Sequence, residues 1–492
     1  MRKFKIVIFN GIVITISSLV MQSVGSYFMI YISNKIGSET LGIFNIIMSI
    51  YMFFITLATS GINIATTQIV IKEKNNNYNC STILAMKKCI FYSLFFGILS
   101  CILLFIFSPY ISNTFLHNKI SYKILYVVAV SLPFISVSSS INGYFNAIRK
   151  NIKNVTTKIF EQIIKIICTL YILYLFLPKG IDYICLSLVL GETICEMCSC
   201  ILSVILYLLE EKKYIYYNNK KLKRDYLKSI LKISIPISIT SYIRSILSTL
   251  KQVLIPLRLE KSGLSYETSL SQYGLINGMA LNVLMFPSII INSFSTLLLP
   301  EFSYYSNQKL YKSINAVISK VFKLTFIFSI GFMGFFLFYS EKISSLFFNN
   351  ENVAFYLKIL SPLVIPMYLD NVVDNILKGL NKQLGVMKCN ILDLFISIGG
   401  IFILLPLLGI NGYILITYIS ILLNSSISIF QLRKCTNFDF DFINWIIKPI
   451  IVMFIIYMLL SILVPNIIIQ LCLYLCFYFI YSCFNFKLYN IF

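Results

Sequence analysis

Long apolar segments recur along this chain too often for any water-soluble fold. About 20 apolar residues carry an α-helix across a bilayer core. Fourteen segments reach that length, near 6–32, 41–71, 87–109, 122–147, 155–178, 181–209, 231–257, 272–300, 315–339, 354–379, 385–407, 410–431, 445–464 and 467–485. Charged residues make up only 12% of the 492, against about a quarter in soluble proteins. The expected fold class is therefore an all-α polytopic membrane protein of about fourteen transmembrane helices.

The net charge of +22 does not point to nucleic acid, because the cations sit mostly in the short segments between apolar runs. Lys72, Lys74, Lys87 and Lys88 form one group, and Arg149, Lys150 and Lys153 a second. A basic linker at 210–230 follows, then Lys309, Lys312, Lys382, Lys388, Arg433 and Lys434. Alternate connections such as Leu408-Gly409-Ile410-Asn411-Gly412 carry almost none. That alternation predicts the cytoplasmic membrane, with both termini and the basic connections in the cytoplasm. No cleavable signal pattern opens the chain, and the 13 cysteines follow no disulfide framework.

The linker divides the chain into similar halves. A shift of 232 aligns Gly42-Ile43-Phe44-Asn45 with Gly274-Leu275-Ile276-Asn277, and a shift near 236 pairs Gly143 with Gly379. After each of the latter glycines comes a basic turn and then an acid, Glu161 or Asp393. The expected organisation is a six-helix lobe at 1–209, the linker at 210–230, a second six-helix lobe at 231–432 and two further helices at 433–492. Six helices plus six leave both lobes in one orientation, a parallel repeat of the kind transporters use.

Little in the sequence can do hydrolytic or metal chemistry. His117 is the single histidine and falls in a short connection; no glycine-rich nucleotide loop occurs. Cys195, Cys198 and Cys200 lie on an apolar helix without histidine and read as packing residues. No cofactor and no metal are expected, and the chain reads as a transporter, not an enzyme.

What remains is charge within apolar helices, which is costly there and therefore informative. Arg244, Lys251 and Arg258 follow heptad spacing in the seventh segment, with Ser241 and Ser248 on the same face. Such a stripe suits a wet cavity that receives an anionic headgroup; the alternative is that Arg258 and Lys251 reach to the membrane surface. The acids Glu192 and Glu196 are one turn apart, as are Asp370 and Asp374, and Glu161 stands four residues before Lys165. Glu161, Glu192, Glu196, Asp370, Asp374 and Asp393 are candidate coupling or cavity carboxylates. Internal ion pairing, such as Glu161 with Lys165, is the competing explanation, and the sequence leaves both open.

Several stretches resemble one family. Ile36-Gly37-Ser38-Glu39-Thr40-Leu41-Gly42-Ile43-Phe44, Leu57-Ala58-Thr59-Ser60-Gly61-Ile62, Gly143-Tyr144-Phe145 with Glu161-Gln162-Ile163, and Ile255-Pro256-Leu257-Arg258-Leu259 with Tyr273-Gly274 are similar to segments of stage V sporulation protein B and its relatives. These are oligosaccharide flippases of the multidrug/oligosaccharidyl-lipid/polysaccharide exporter superfamily. The resemblance implies two six-helix lobes around a central cavity that opens alternately to each side. It also implies a polyprenyl-diphosphate-linked saccharide as substrate, such as a peptidoglycan precursor for the spore cortex. The bilayer and cell-wall synthesis proteins are the implied partners, and an ion gradient or membrane potential the driving force. Asn63 stands where the family usually has proline. Lipid II flippases carry arginines in their first two helices, whereas Gln22, Ser23 and Ser26 stand here. A cation-coupled multidrug exporter on the same scaffold is the alternative; its usual acid in the first helix is absent from 6–32.

Overall fold

The computed structural model describes residues 2–59, 61–75, 79–115, 122–211, 226–348 and 350–486, and no strand occurs among them. His117 and positions 212–225 of the basic linker lie outside the described residues. Seventeen α-helices follow one another: α1 (Arg2–Thr59), α2 (Ile62–Asn75), α3 (Asn79–Phe115), α4 (Lys123–Ala147), α5 (Asn151–Phe176), α6 (Ile181–Glu211), α7 (Tyr226–Glu260), α8 (Tyr266–Tyr273), α9 (Leu281–Met285), α10 (Ser288–Leu297), α11 (Leu299–Asn307), α12 (Tyr311–Phe347), α13 (Glu351–Leu360), α14 (Val364–Gly379), α15 (Gln383–Cys435), α16 (Lys448–Leu463) and α17 (Ile467–Phe486). A π-helical segment, Gly274–Ala280, joins α8 to α9.

Among the described residues, 11 helices can cross a membrane by length and composition, or up to 12 if the pair Tyr266–Met285 and Ser288–Asn307, bent by 54°, is one span. The molecule is thus an all-α, multi-pass membrane protein. The difference from fourteen lies in two long helices that the sequence reading divides. At 58 and 53 residues, α1 and α15 far exceed one crossing. Each is broken at a glycine in a conformation that a side chain would strain, Gly37 at φ 79° and Gly409 at φ 56°.

The described chain forms two compact units. The first comprises Met1–Met21 and Ile43–Leu257, the second Gln22–Gly42 and Arg258–Phe492. These bounds differ from the lobes drawn at 209 and 231, since α7 up to Leu257 belongs with the first unit. Hydrogen bonds account for it: Tyr242, Ser245 and Thr249 of α7 all reach the 43–59 arm of α1. An apolar cluster adds Tyr226 and Ile230 to Ile62 and Ala65 of α2 and Ala85, Cys89 and Tyr92 of α3.

The repeat is visible as packing within each unit. In the first, the Thr67 hydroxyl donates to the Gly143 carbonyl at 3.0 Å, joining α2 to α4. In the second, Ser303 donates to the Gly379 carbonyl at 2.9 Å, joining α11 to α14. Both pairs are related by 236 positions. A Cβ on Gly143 would lie 2.6 Å from the Asn63 carbonyl oxygen, and one on Gly379 3.3 Å from that of Leu299, again 236 positions on. The offset of 232 at Gly42 and Gly274 has become 236 here, so the second repeat holds four extra residues between. They fall in the stretch containing the π-helix and the bend, where extra residues are accommodated without breaking the flanking packing.

Three helix ends share one design. At Arg149, Lys309 and Asn381 φ is positive (58°, 54° and 61°). The following amide reaches back five residues in each case, Lys150 to Phe145, Leu310 to Tyr305 and Lys382 to Leu377, at 2.8–3.0 Å. That is the left-handed cap which satisfies the last carbonyls of a helix. After the first of these turns, Lys150 and Lys153 clamp the buried carboxylate of Glu210 at the end of α6. In the second unit, α17 docks on α12 through Tyr474 and Tyr478, whose hydroxyls donate to the carbonyls of Gly331 (3.1 Å) and Ile327 (2.9 Å).

Candidate functional site

The 43–59 arm of α1 and α7 face one another with polar side chains at the spacing a helix normally fills with leucine. On α7 these are Ser245, Ser248, Thr249 and Gln252; on α1 they are Asn45 and Ser49, with the apolar Met48 and Met52 completing the lining. Thr249 Oγ1 donates to the Ser49 carbonyl at 2.9 Å, Ser245 Oγ to Thr56 Oγ1 at 3.3 Å, and Tyr242 to the Leu57 carbonyl at 3.4 Å. Short side chains leave the helices incompletely packed, and a cavity of about 250 Å³ lies within the first unit. All eight lining residues are uncharged.

Of the residues predicted for headgroup binding, Ser248 lines this cavity. Arg244 precedes Ser245 and stands one turn before Ser248; its side chain is exposed. Lys251 is half-buried, one turn after Ser248. Heptad spacing keeps these cations on one flank of the helix, beside the face that lines the cavity. Arg258 stands near the end of the same helix. The chain enters the second unit at this residue, and its guanidinium lies 3.8 Å above the centre of the Phe402 ring, a cation–π contact.

The carboxylates form two groups. In the first unit Glu161 pairs with Lys158 at 2.9 Å and accepts from Ser199 at 2.9 Å. Lys165 pairs with Glu192 of α6 at 2.6 Å. Of the pairings the sequence left open, Lys165 thus takes Glu192 and not Glu161: α5 packs along α6, and the cross-helix carboxylate is the one within salt-bridge distance. Glu196 feels Glu161, Lys158, Glu192 and Lys165 together, so three acids share two lysines.

In the second unit Asp370 accepts from Asn424 at 2.8 Å and Asp393 from Ser420 at 2.6 Å. The charges felt by Asp370 are those of Asp374 and Asp393. Beside them Asn375, on α14, donates to Asn292 at 2.8 Å and to Ser295 at 2.7 Å. Here one amide and one hydroxyl each hold an oxygen of Asp370 and Asp393, while Asp370 Oδ1 is buried with no hydrogen-bond partner among the described residues. Sequence reasoning passed over Lys158, Asn424 and the cavity residues other than Ser248. The polar i, i+3, i+4, i+7 pattern of 245, 248, 249 and 252 is the signal that marks the cavity face on α7.

A model of the polysaccharide biosynthesis protein family matches residues 7–306. Stage V sporulation protein B of Bacillus subtilis is 24% identical over 419 residues, which cover 82% of this chain and 78% of the relative. Sporulation protein YkvU of the same organism is 20% identical over 48% of this chain and 53% of its own length. Among solved structures, the lipid II flippase MurJ in an inward closed conformation aligns with a TM-score of 0.71 at 15% identity, covering 97% of this chain and 99% of that one. An inward-facing multidrug resistance transporter of the MATE family aligns at 0.64 and 13% identity, covering 85% and 97%. At these identities the structural matches establish a common fold.

Proposed function

The chain belongs to the polysaccharide biosynthesis protein family, and on that premise we propose that it is a flippase, moving a polyprenyl-diphosphate-linked saccharide across the cytoplasmic membrane by alternating access. The observation that carries this reading is the uncharged polar cavity between α1 and α7, with Arg244 and Lys251 on its flank. Serine, threonine, asparagine and glutamine match the hydroxyls of a saccharide. Arginine offers two parallel donors to a diphosphate, and lysine a point charge. The lipid tail stays in the acyl phase while the head avoids an unaided passage through hydrocarbon.

Asp370, Asp374 and Asp393 take the coupling role in this proposal. Three aspartates close enough to repel one another gain from a proton or a monovalent cation. Glu161 and Glu192, each held by a lysine, serve as structure, and Glu196 is a further coupling candidate. Both termini and the basic turns lie in the cytoplasm. The names of the relatives, two sporulation proteins and a lipid II flippase, support a cell-envelope glycan as cargo, with cell-wall synthesis proteins as neighbours.

The fold shared with a multidrug resistance transporter keeps a cation-coupled exporter as the second reading. A cavity without a carboxylate in its lining, flanked by cations, disfavours a cationic drug. Cells lacking the chain discriminate between the two. The flippase reading expects lipid-linked saccharide to accumulate on the cytoplasmic leaflet with unchanged tolerance of cationic dyes. Dye sensitivity without accumulation would favour the exporter.

A further inference from the structure

Arg258 lies two residues before the last of α7, at the end remote from the linker. The 35 residues of this helix extend about 50 Å, against about 30 Å of hydrocarbon, so its last turns reach the headgroup layer. A long cationic side chain there normally runs outward to water. Arg258 runs the other way. Ser262, in the turn after α7, sets the level: its Oγ would lie 3.3 Å from a Cβ on Gly409, at the break in α15. Arg258 precedes Ser262 by four residues and Phe402 precedes Gly409 by seven, about 6 Å and about 10 Å along helices that rise toward the same end. To lie over the Phe402 ring, the guanidinium therefore reaches back from the helix end.

Stacking occupies one face of the guanidinium plane and leaves its N–H edges for other partners. Among the described residues no carboxylate forms an ion pair with it. Glu260, two residues on, stands on another side of the helix. The ring beneath the cation belongs to an exposed apolar stripe on α15, formed by Phe395, Ile396, Phe402, Ile403 and Leu407. Within that stripe Gly399 has nothing within 4 Å of a would-be Cβ, which leaves a shallow furrow one turn below the cation. A cation with open donors above a furrowed apolar face matches an amphiphile with a phosphate head and a hydrocarbon tail.

We infer that Arg258 and Phe402 form a lipid-phosphate site. An anionic lipid of the leaflet opposite the linker sets its phosphate on the guanidinium edge and lays a chain along the α15 stripe. Paired N–H donation fixes the phosphate, and the ring holds the guanidinium plane ready to receive it. All these parts belong to the second unit, whereas the polar cavity belongs to the first, and the site requires no transport cycle. Two lipids carry this chemistry, an anionic phospholipid of the bilayer and a polyprenyl diphosphate.

The test places an indole in the stack. Phe402→Trp keeps the cation–π contact, and Trp445→Phe removes the one native tryptophan. The full chain with both changes is reconstituted in phosphatidylcholine vesicles containing dibrominated phosphatidylglycerol, whose bromines quench an indole they touch. Dibrominated phosphatidylcholine is the reference. Phosphatidylglycerol is expected to occupy the site roughly tenfold more strongly, the gain from one charge-assisted contact. Adding Arg258→Gln should abolish that preference, and Arg258→Lys, which keeps the charge without the fork, should retain part of it. Equal quenching by the two lipids, or a preference that Arg258→Gln leaves unchanged, would overturn the site. Should Trp445→Phe fail to fold, the same quantities are read as the difference between Phe402→Trp and the wild-type chain. Unbrominated undecaprenyl diphosphate then separates the sources. Relief of quenching at a lower mole fraction than unbrominated phosphatidylglycerol requires supports the site as a polyprenyl-diphosphate station; relief at an equal or higher fraction supports it as a phospholipid site.

Discussion

The ammonium of Lys165 lies 2.6 Å from the carboxylate of Glu192, across the interface between α5 and α6. Both side chains are mostly withdrawn from the surface, with 27% and 15% exposure. The pair joins two membrane-crossing helices where neither charge has another strong reason to be, since the lining of the polar cavity includes neither.

Removing one partner of such a pair leaves the other charge uncompensated. Lys165→Met is expected to destabilise the protein by about 3 kcal/mol, seen as a lower midpoint of thermal unfolding in detergent. The Lys165→Met/Glu192→Met double variant should recover most of that loss. Lys158→Met, at a lysine 57% exposed, should cost less than Lys165→Met.

The three left-handed caps predict a gain. An L-residue with a side chain costs about 1–2 kcal/mol in this conformation, and glycine does not carry that cost. Arg149→Gly and Lys309→Gly should each raise stability by up to about 1 kcal/mol after the greater freedom of the unfolded glycine is counted. Asn381→Gly should gain least, because asparagine tolerates the conformation best. Thermal unfolding of the single variants gives the order, and the reverse order would argue against these turns.

Glycine contacts within the two units should behave alike. A Cβ on Gly143 would come within 2.6 Å of the Asn63 carbonyl oxygen, and on Gly379 within 2.8 Å of Phe302 Cβ. Gly143→Ala and Gly379→Ala should each cost about 1–3 kcal/mol through overpacking. Gly399, with nothing within 4 Å of its would-be Cβ, is the control. Gly399→Ala should be neutral or slightly stabilising, because alanine favours the helix. Comparable losses at all three positions would mean that the close approaches do not exist in the membrane.

The membrane class was legible because apolar length is a local property of the chain. The repeat was legible in part. Gly42 with Gly274 and Gly143 with Gly379 align by eye, but the hydroxyl donors Thr67 and Ser303 differ in type and emerge only as equivalent hydrogen bonds. Pairing was not legible, because the i, i+4 rule sees one helix at a time and Lys165 finds its acid on another. Arg258 shows the same limit: helical phase places it in line with Arg244 and Lys251, yet says nothing of the Phe402 ring that meets its guanidinium. On α1 the cavity face mixes Met48 and Met52 with Asn45 and Ser49, a pattern that reads as ordinary packing until α7 is laid against it.

The reading depends most on a cation beside the α1–α7 cavity holding an anionic head. The most direct measurement is translocation of a fluorescent undecaprenyl-diphosphate saccharide by purified protein in liposomes, scored by access to the outer leaflet, for wild type and Arg244→Gln at equal incorporation. The account predicts that the wild-type chain moves the lipid and that Arg244→Gln abolishes movement while folding normally. Undiminished translocation by Arg244→Gln would contradict it.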